Sequence, residues 1–200
     1  MANTQSQFGF EHWGYLPGYM ADYQQSTRGI QKTNTTAIQF GDVVQRANAT
    51  SAYIVQGNSS TTLPIEGIFV GCVYQIAGNI PQWSPFWPGS AAAQDATAYV
   101  IDSPGALFKV ATLATAIVSA NIGNFINYTT GGFTASLTGQ GYSVMTVDQS
   151  TIATTTGTTA NGLPFVVYSL FPGVGNGSDP TTNYNWVIVR FNNQILRSGL

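Results

Sequence analysis

The sequence predicts an all-β fold, a β-sandwich or jelly-roll-like barrel with an extended N-terminal arm. Three observations predict it. Runs of about four to eight residues, rich in Val, Ile, Thr and aromatics, recur between Gly, Pro, Asn and Asp signals. Hydrophobic residues reach 44% and charged ones only 7%, against about 25% charged in an ordinary soluble domain. Such a chain buries a core and covers its surface with Thr, Ser, Asn, Gln and Gly. No repeat recurs at the period of a solenoid or propeller, and 200 residues suit one domain.

The elements follow in order. Residues 1–33 read as the arm, and 34–200 as the β domain. Within the arm, FGFEHWGYLPGYMADY (8–23) holds six aromatics, three glycines and a proline in sixteen positions, and fits neither an amphipathic helix nor an alternating strand. A polar stretch, QQSTRGIQKTN, follows. TAIQFGDVVQ and SAYIVQ carry β-branched and aromatic residues. IEGIFVGCVYQI is the strongest core run, bounded by Pro64, Gly78, Asn79 and Pro81. ATAYVID ends at Asp102-Ser-Pro-Gly105, where Pro104 fixes φ and Gly105 frees it. ALFKVAT continues into LATAIVSANIG, read as a strand and then a short helical turn, because Val110, Thr112, Thr115, Ile117 and Val118 oppose a long helix. YSVMTVD, LPFVVYSLF and NYNWVIVRFNN complete the strands. VQGNSSTTLP, NYTTGGFTASLTGQG and STIATTTGTTANG read as loops or hairpin tips.

Charge and residue inventory exclude several function classes. Six Lys and Arg, scattered, cannot make a nucleic-acid surface. The longest nearly apolar stretch, VATLATAIVSA, is about half of what crosses a bilayer, and the start lacks the basic and apolar regions of a secretory signal. One His and one Cys make no zinc site. Asp179, in VGNGSDPTTN, is a single carboxylate where calcium wants several oxygen ligands. Cys72, in an apolar run, reads as a buried inert thiol. His12 follows Glu11, but sequence neighbours point apart in extended chain, so no base and orienting carboxylate emerge. Asp102, Asp148 and Asp179 sit at turns, Asp42 and Glu66 border core runs, and none pairs visibly as an acid–base dyad. The expectation is a protein that is not an enzyme and needs no cofactor or metal. Near-zero net charge (−2) suits a component of an assembly.

The aromatic arm then reads as a docking element. Six aromatics burying 150–250 Å² each contribute at most ~20–35 kcal/mol, while ordering about 30 residues costs on the order of 45 kcal/mol. Aromatics alone do not hold the arm, so it needs backbone pairing, for instance strand addition to a neighbour's edge, or a shorter ordered portion; folding back on its own domain is the plainer alternative. IPQWSPFWPGS (80–90) is a second aromatic cluster, whose prolines forbid a central strand. Trp83, Phe86 and Trp87 there read either as a rigid cap on the core or as a secondary aromatic platform for a partner.

The series GFEHWGYLPGYMADYQ, FGDVVQ, IEGIFVGCVY, WSPFWPGS, TAYVIDSPGALFKV, SANIGNFINY, LPFVVYSLF and NYNWVIVRFNN resembles tailed-bacteriophage virion proteins, the capsid decoration or cement proteins. The resemblance covers most of the chain and is weakest over 129–160. It implies a β-sandwich or barrel on the capsid exterior, assembled in a host cytoplasm as a homo-oligomer, trimer or dimer. It would bridge major capsid protein subunits, with Phe8, Phe10, Trp13, Tyr15, Tyr19 and Tyr23 as the capsid-binding clamp. No nucleic acid or membrane partner is expected. The alternative is a phage tail or fibre component that binds a host receptor or glycan.

Overall fold

The computed structural model describes residues 2–4, 8–19, 25–60, 63–76, 79–89, 94–130, 141–154 and 162–195. Its strands are β1 (Glu11–Tyr15), β2 (Gln25–Ile30), β3 (Val43–Arg46), β4 (Ile54–Gln56), β5 (Ile65–Tyr74), β6 (Gln82–Ser84), β7 (Ala96–Ile101), β8 (Ala106–Ala111), β9 (Phe125–Thr129), β10 (Thr146–Ala153), β11 (Phe165–Leu170) and β12 (Trp186–Phe191). They form two antiparallel sheets, packed as a β-sandwich. The first has the order β1-β8-β12-β11-β9-β10; the second has β2-β7-β5-β3-β4, with β6 added to β5. A parallel bridge from Gly29 to Tyr53 links the outer strands β2 and β4, so the second sheet curls toward closure.

Period-two alternation makes the interface between the sheets. On β8, Ala106, Phe108 and Val110 face inward; on β12, Val187, Val189 and Phe191 do the same. Val43, Ile65, Ile68 and Ile101 meet them from the second sheet. A second core lies on that sheet's other face, where Ile30, Val44, Phe69, Cys72, Ala98 and Val100 pack around Trp87. Two cores explain why β5 is buried along nearly all of its length. Strands apolar on both faces are those covered on both faces.

The chain passes from the second sheet to the first at Ser103–Ala106, where the Ala106 amide donates to the Ser103 carbonyl at 3.0 Å across Pro104 and Gly105. As expected, 106–121 is a strand followed by a short 3₁₀ turn, Ser119–Asn121. Three expectations shift. Residues 127–129 and 150–153, read as the starts of loops or hairpin tips, belong to the paired strands β9 and β10, because Thr-rich polar segments satisfy a strand as well as a loop. Of TAIQFGDVVQ, only Val43 and beyond is strand, since Gly41 takes φ +85° and breaks the extension.

The third correction concerns the arm. Residues 1–33 are not a segment apart from the domain over the residues described: β1 is the end strand of one sheet and β2 of the other. Strand addition, expected at a neighbour's edge, is made instead to the chain's own β8, from Glu11 opposite Lys109 to Tyr15 opposite Ala106. Farther upstream, the Asn3 side chain donates to the Asp179 carbonyl at 2.8 Å and accepts from the Gly177 amide at 2.9 Å.

Candidate functional site

Strand geometry divides the N-terminal aromatics between two faces of the sheet. Phe10 points inward, 1% exposed, and stacks on Phe165 at 4.7 Å. Tyr15 is half-buried against the same core. Phe8 lies on the outer face, edge-on to Trp186 at 5.1 Å. Lys109 rises between those two rings, its Nζ 4.9 Å from each centroid and 5.9 Å from that of Phe171. Glu11 caps it at 2.7 Å. A cation among three rings gains from their quadrupoles, and more so when shielded from water. Trp13 packs edge-on to Phe171 at 5.5 Å yet stays 46% exposed.

The chain then turns at Leu16–Tyr19, with the Tyr19 amide donating to the Leu16 carbonyl at 3.1 Å. Pro17 and Gly18 occupy the inner positions, and Gly18 takes φ +89°, the conformation a type II turn requires there. Tyr19 emerges 50% exposed, with its ring laid over Gly105. A Cβ at Gly105 would fall 2.3 Å from the ring, so no other residue leaves it room. Tyr23 lies outside the described residues. Of the predicted clamp, then, Phe10 is a core residue, while Trp13 and Tyr19 are offered to solvent. Phe10 is corrected on that ground: just before β1 its amide donates to the Gly41 carbonyl at 2.9 Å, and its ring lies in the core.

The second cluster splits likewise. Trp87 is fully buried, is bridged through its backbone to Ile38, and donates its indole N–H to the Asn34 carbonyl at 3.2 Å. It is the centre of the second core and not part of a platform. Phe86 is half-buried beside Gly141. Trp83, on the short strand β6, is 61% exposed and rests one side of its indole against Gly71, whose φ of +142° and missing side chain make the space. Ile80 beside it is exposed too.

Groups weighed for catalysis are otherwise engaged. His12 packs against the rings of Tyr15 and Phe108, and burial holds its pKa below the usual imidazole value. Glu11 serves Lys109 instead of His12. Burial pushes the Cys72 thiol up to about 12, which makes it inert at neutral pH. Asp148 and Asp179 close turns on Ser150 and Thr181. Asp42, 1% exposed, accepts from the Gln39 amide at 2.9 Å and Gln56 Nε2 at 2.8 Å; burial pushes its carboxyl up to about 6 against those bonds. Among the described residues, no three His, Cys, Asp or Glu side chains gather as a metal site, and no helix is long and apolar enough to cross a membrane.

Sequence reasoning missed one charged cluster. Arg28 Nε reaches Glu66 Oε2 at 3.1 Å, and its Nη2 reaches Asp102 Oδ2 at 3.0 Å. Arg46 Nε reaches Glu66 Oε1 at 2.6 Å. Both carboxylates are buried, and Gln194 Nε2 donates to the backbone carbonyls of both acidic residues. The signal was there: in a chain so poor in charge, an acid inside an apolar run such as Ile65-Glu-Gly-Ile68 needs a buried partner. No protein-family description, curated protein or solved structure matches the chain.

Proposed function

We propose that this chain is a structural, non-enzymatic virion protein that decorates the exterior of a tailed-phage capsid as a homo-oligomer and bridges neighbouring major capsid subunits. The observation that carries the reading is the pair Trp13 and Tyr19. They stand roughly half exposed on the end strand of a sheet and the turn that follows it, each held by its own domain. Rigid aromatics with one side packed and the other solvated lose little entropy on docking and make strong anchors. A surface with few charges supports the reading, because it imposes little desolvation cost on a broad contact. The resemblance in motif order supports it from the sequence. Anchoring falls to the solvent-facing half of the N-terminal segment, while the inward half holds the domain together.

This division dictates the experiment. Removing residues 1–30 would take away β1 and β2 and so test folding, not binding. Purified capsids incubated with the full chain should instead co-sediment it and melt at a higher temperature, and the Trp13→Ala/Tyr19→Ala variant should lose both effects while remaining folded. Absence of binding by the full chain would overturn the capsid reading. One observation favours a tail or fibre role as second reading: the exposed indole of Trp83, backed by Gly71, is the kind of flat face on which a sugar ring stacks. Binding of the chain to host cells or glycans, lost in Trp83→Ala, would select that reading.

A further inference from the structure

In a chain with so few charges, two of the six Lys and Arg residues and two of the eight Asp and Glu residues meet in one place. The four side chains are not used alike. Every nitrogen of Arg28 is engaged: Nε and Nη2 hold the two carboxylates, and Nη1 donates to the Thr27 carbonyl at 3.0 Å. Arg46 uses only Nε, on Glu66, and its Nη1 and Nη2 donate to no described residue. A guanidinium is a planar fork, and one edge of this one is fixed by a buried carboxylate while the other remains open. Ion pairs of this kind seldom add stability over apolar packing, but they do fix a charged group in one geometry.

Arg46 borders usable space. A surface cleft of about 460 Å³ is lined by Thr27, Arg28, Gly29, Arg46, Glu66 and Thr97. It lies beside the Gly29–Tyr53 bridge that links β2 to β4; strands β2, β3, β5 and β7 supply most of its wall, and Ala52, in the bend before β4, supplies the rest. Tyr53 stiffens that seam by donating its hydroxyl to Asp95 at 2.7 Å, which also accepts the Lys32 amide. Thr27 and Thr97 expose hydroxyl-bearing side chains at the rim. Arg46 also borders a second hollow of about 280 Å³, lined by Ala49, Leu63, Pro64 and Ile195. A donor fork thus stands beside an apolar recess.

We infer that Arg46 and its two flanking hollows form a docking site for an extended acidic segment of a partner chain, with a carboxylate on the open guanidinium edge and a neighbouring apolar side chain in the Leu63/Pro64/Ile195 recess. Charge and shape choose this occupant. A carboxylate matches the guanidinium edge in a bidentate, in-plane pair, and among the described residues the recess beside it is lined by no charged residue other than Arg46. The inference deepens the capsid reading, on which it rests for the identity of the partner, by specifying the chemistry that the partner's surface would present.

The test needs no capsid, so it stands apart from the co-sedimentation result. Arginine side-chain NMR signals of the full chain are followed during titration with acetyl-Leu-Asp-amide, acetyl-Leu-Asn-amide, acetate and inorganic phosphate. The site predicts saturable shifts at Arg46 with the acidic dipeptide, at least fivefold weaker binding of the Asn analogue and of acetate, and loss of saturation in Arg46→Gln. Leu63→Ala touches neither carboxylate and should weaken the acidic dipeptide severalfold while leaving acetate unchanged. That variant and the wild-type comparison keep the test decisive even where Arg46→Gln disturbs the fold. Equal binding of the two dipeptides, or phosphate binding tighter than the acidic dipeptide, would overturn the assignment. Acetate binding as well as the dipeptide would do so too, by removing the apolar half of the site.

Discussion

The N-terminal segment 8–19 and the loop 80–89 are both dense in aromatics, yet they reach the same outcome by different means. In the first, the backbone bond from Phe10 to Gly41 seats Phe10 in the core just before β1, while β1 leaves Trp13 outside. In the second, prolines and the Ile38–Trp87 bridge seat Trp87 in the second core, while β6 displays Trp83. Glycine supplies the seats in both: Gly105 under Tyr19 and Gly71 beside Trp83. Aromatic density in sequence therefore signals buried and exposed rings together. Only register separates the two.

The sharpest way to break this comparison is to truncate one buried ring from each region. Phe10→Ala and Trp87→Ala should each cost about 3–5 kcal/mol in chemical denaturation, because both rings are almost wholly buried. A loss below about 1 kcal/mol for Phe10→Ala would mean that β1 is not built into the domain. The next effect lies at Asp42. The unfolded chain releases this proton near the ordinary value of 3.8 and the folded chain near 6, so the folded state holds an extra proton between them. Stability should fall by on the order of 3 kcal/mol as pH rises through that window and stay level above it, with a slope of about 1.4 kcal/mol per pH unit. Asp42→Asn should flatten that slope in denaturation curves taken from pH 4 to 7. His12, whose pKa is lowered by burial, works in the opposite sense and favours the fold as pH rises through its ordinary value.

Smaller effects sharpen the comparison from the outer face. Lys109→Met removes a shielded cation from three rings and should cost about 1–2 kcal/mol. Glu11→Gln should cost only a few tenths, since Glu11 is half exposed and an exposed ion pair contributes little. Trp13→Ala, Tyr19→Ala and Trp83→Ala should each change stability by no more than about 1 kcal/mol. A larger loss at Trp13 would assign that ring to the core side of the comparison.

Much of this architecture was legible in the residues. Strands centred on Ile65–Tyr74, Ala96–Ile101, Ala106–Ala111, Phe165–Leu170 and Trp186–Phe191 follow from apolar runs between turn signals, and so does the turn at Pro104–Gly105. β1 was not legible, because its Gly14, its bulge between His12 and Gly14 and its mixed polar content mask the alternation. β2, QSTRGI, has no apolar pattern until Ile30; it is held by pairing with β7 and by Arg28, which points at acids far along the chain. Of the candidate contact residues, composition located the clusters, but sequence could not tell Phe10 from Trp13, three positions apart. The proposed Arg46 site was illegible for another reason: its parts come from β2, β3, β5 and β7 and from residues as far apart as Ala49, Leu63 and Ile195, and only the folded chain brings them together.

The most direct measurement pairs stability with capsid binding for Phe10→Ala and Trp13→Ala, at a temperature where both remain folded. The proposed division of the N-terminal segment into an inward structural face and an outward docking face predicts a crossover. Phe10→Ala should lose several kcal/mol of stability yet co-sediment with capsids as the unaltered chain does, whereas Trp13→Ala should keep its stability and lose binding. If Trp13→Ala binds capsids like the unaltered chain, or if the two variants lose stability and binding alike, the outward face of β1 is not the anchor.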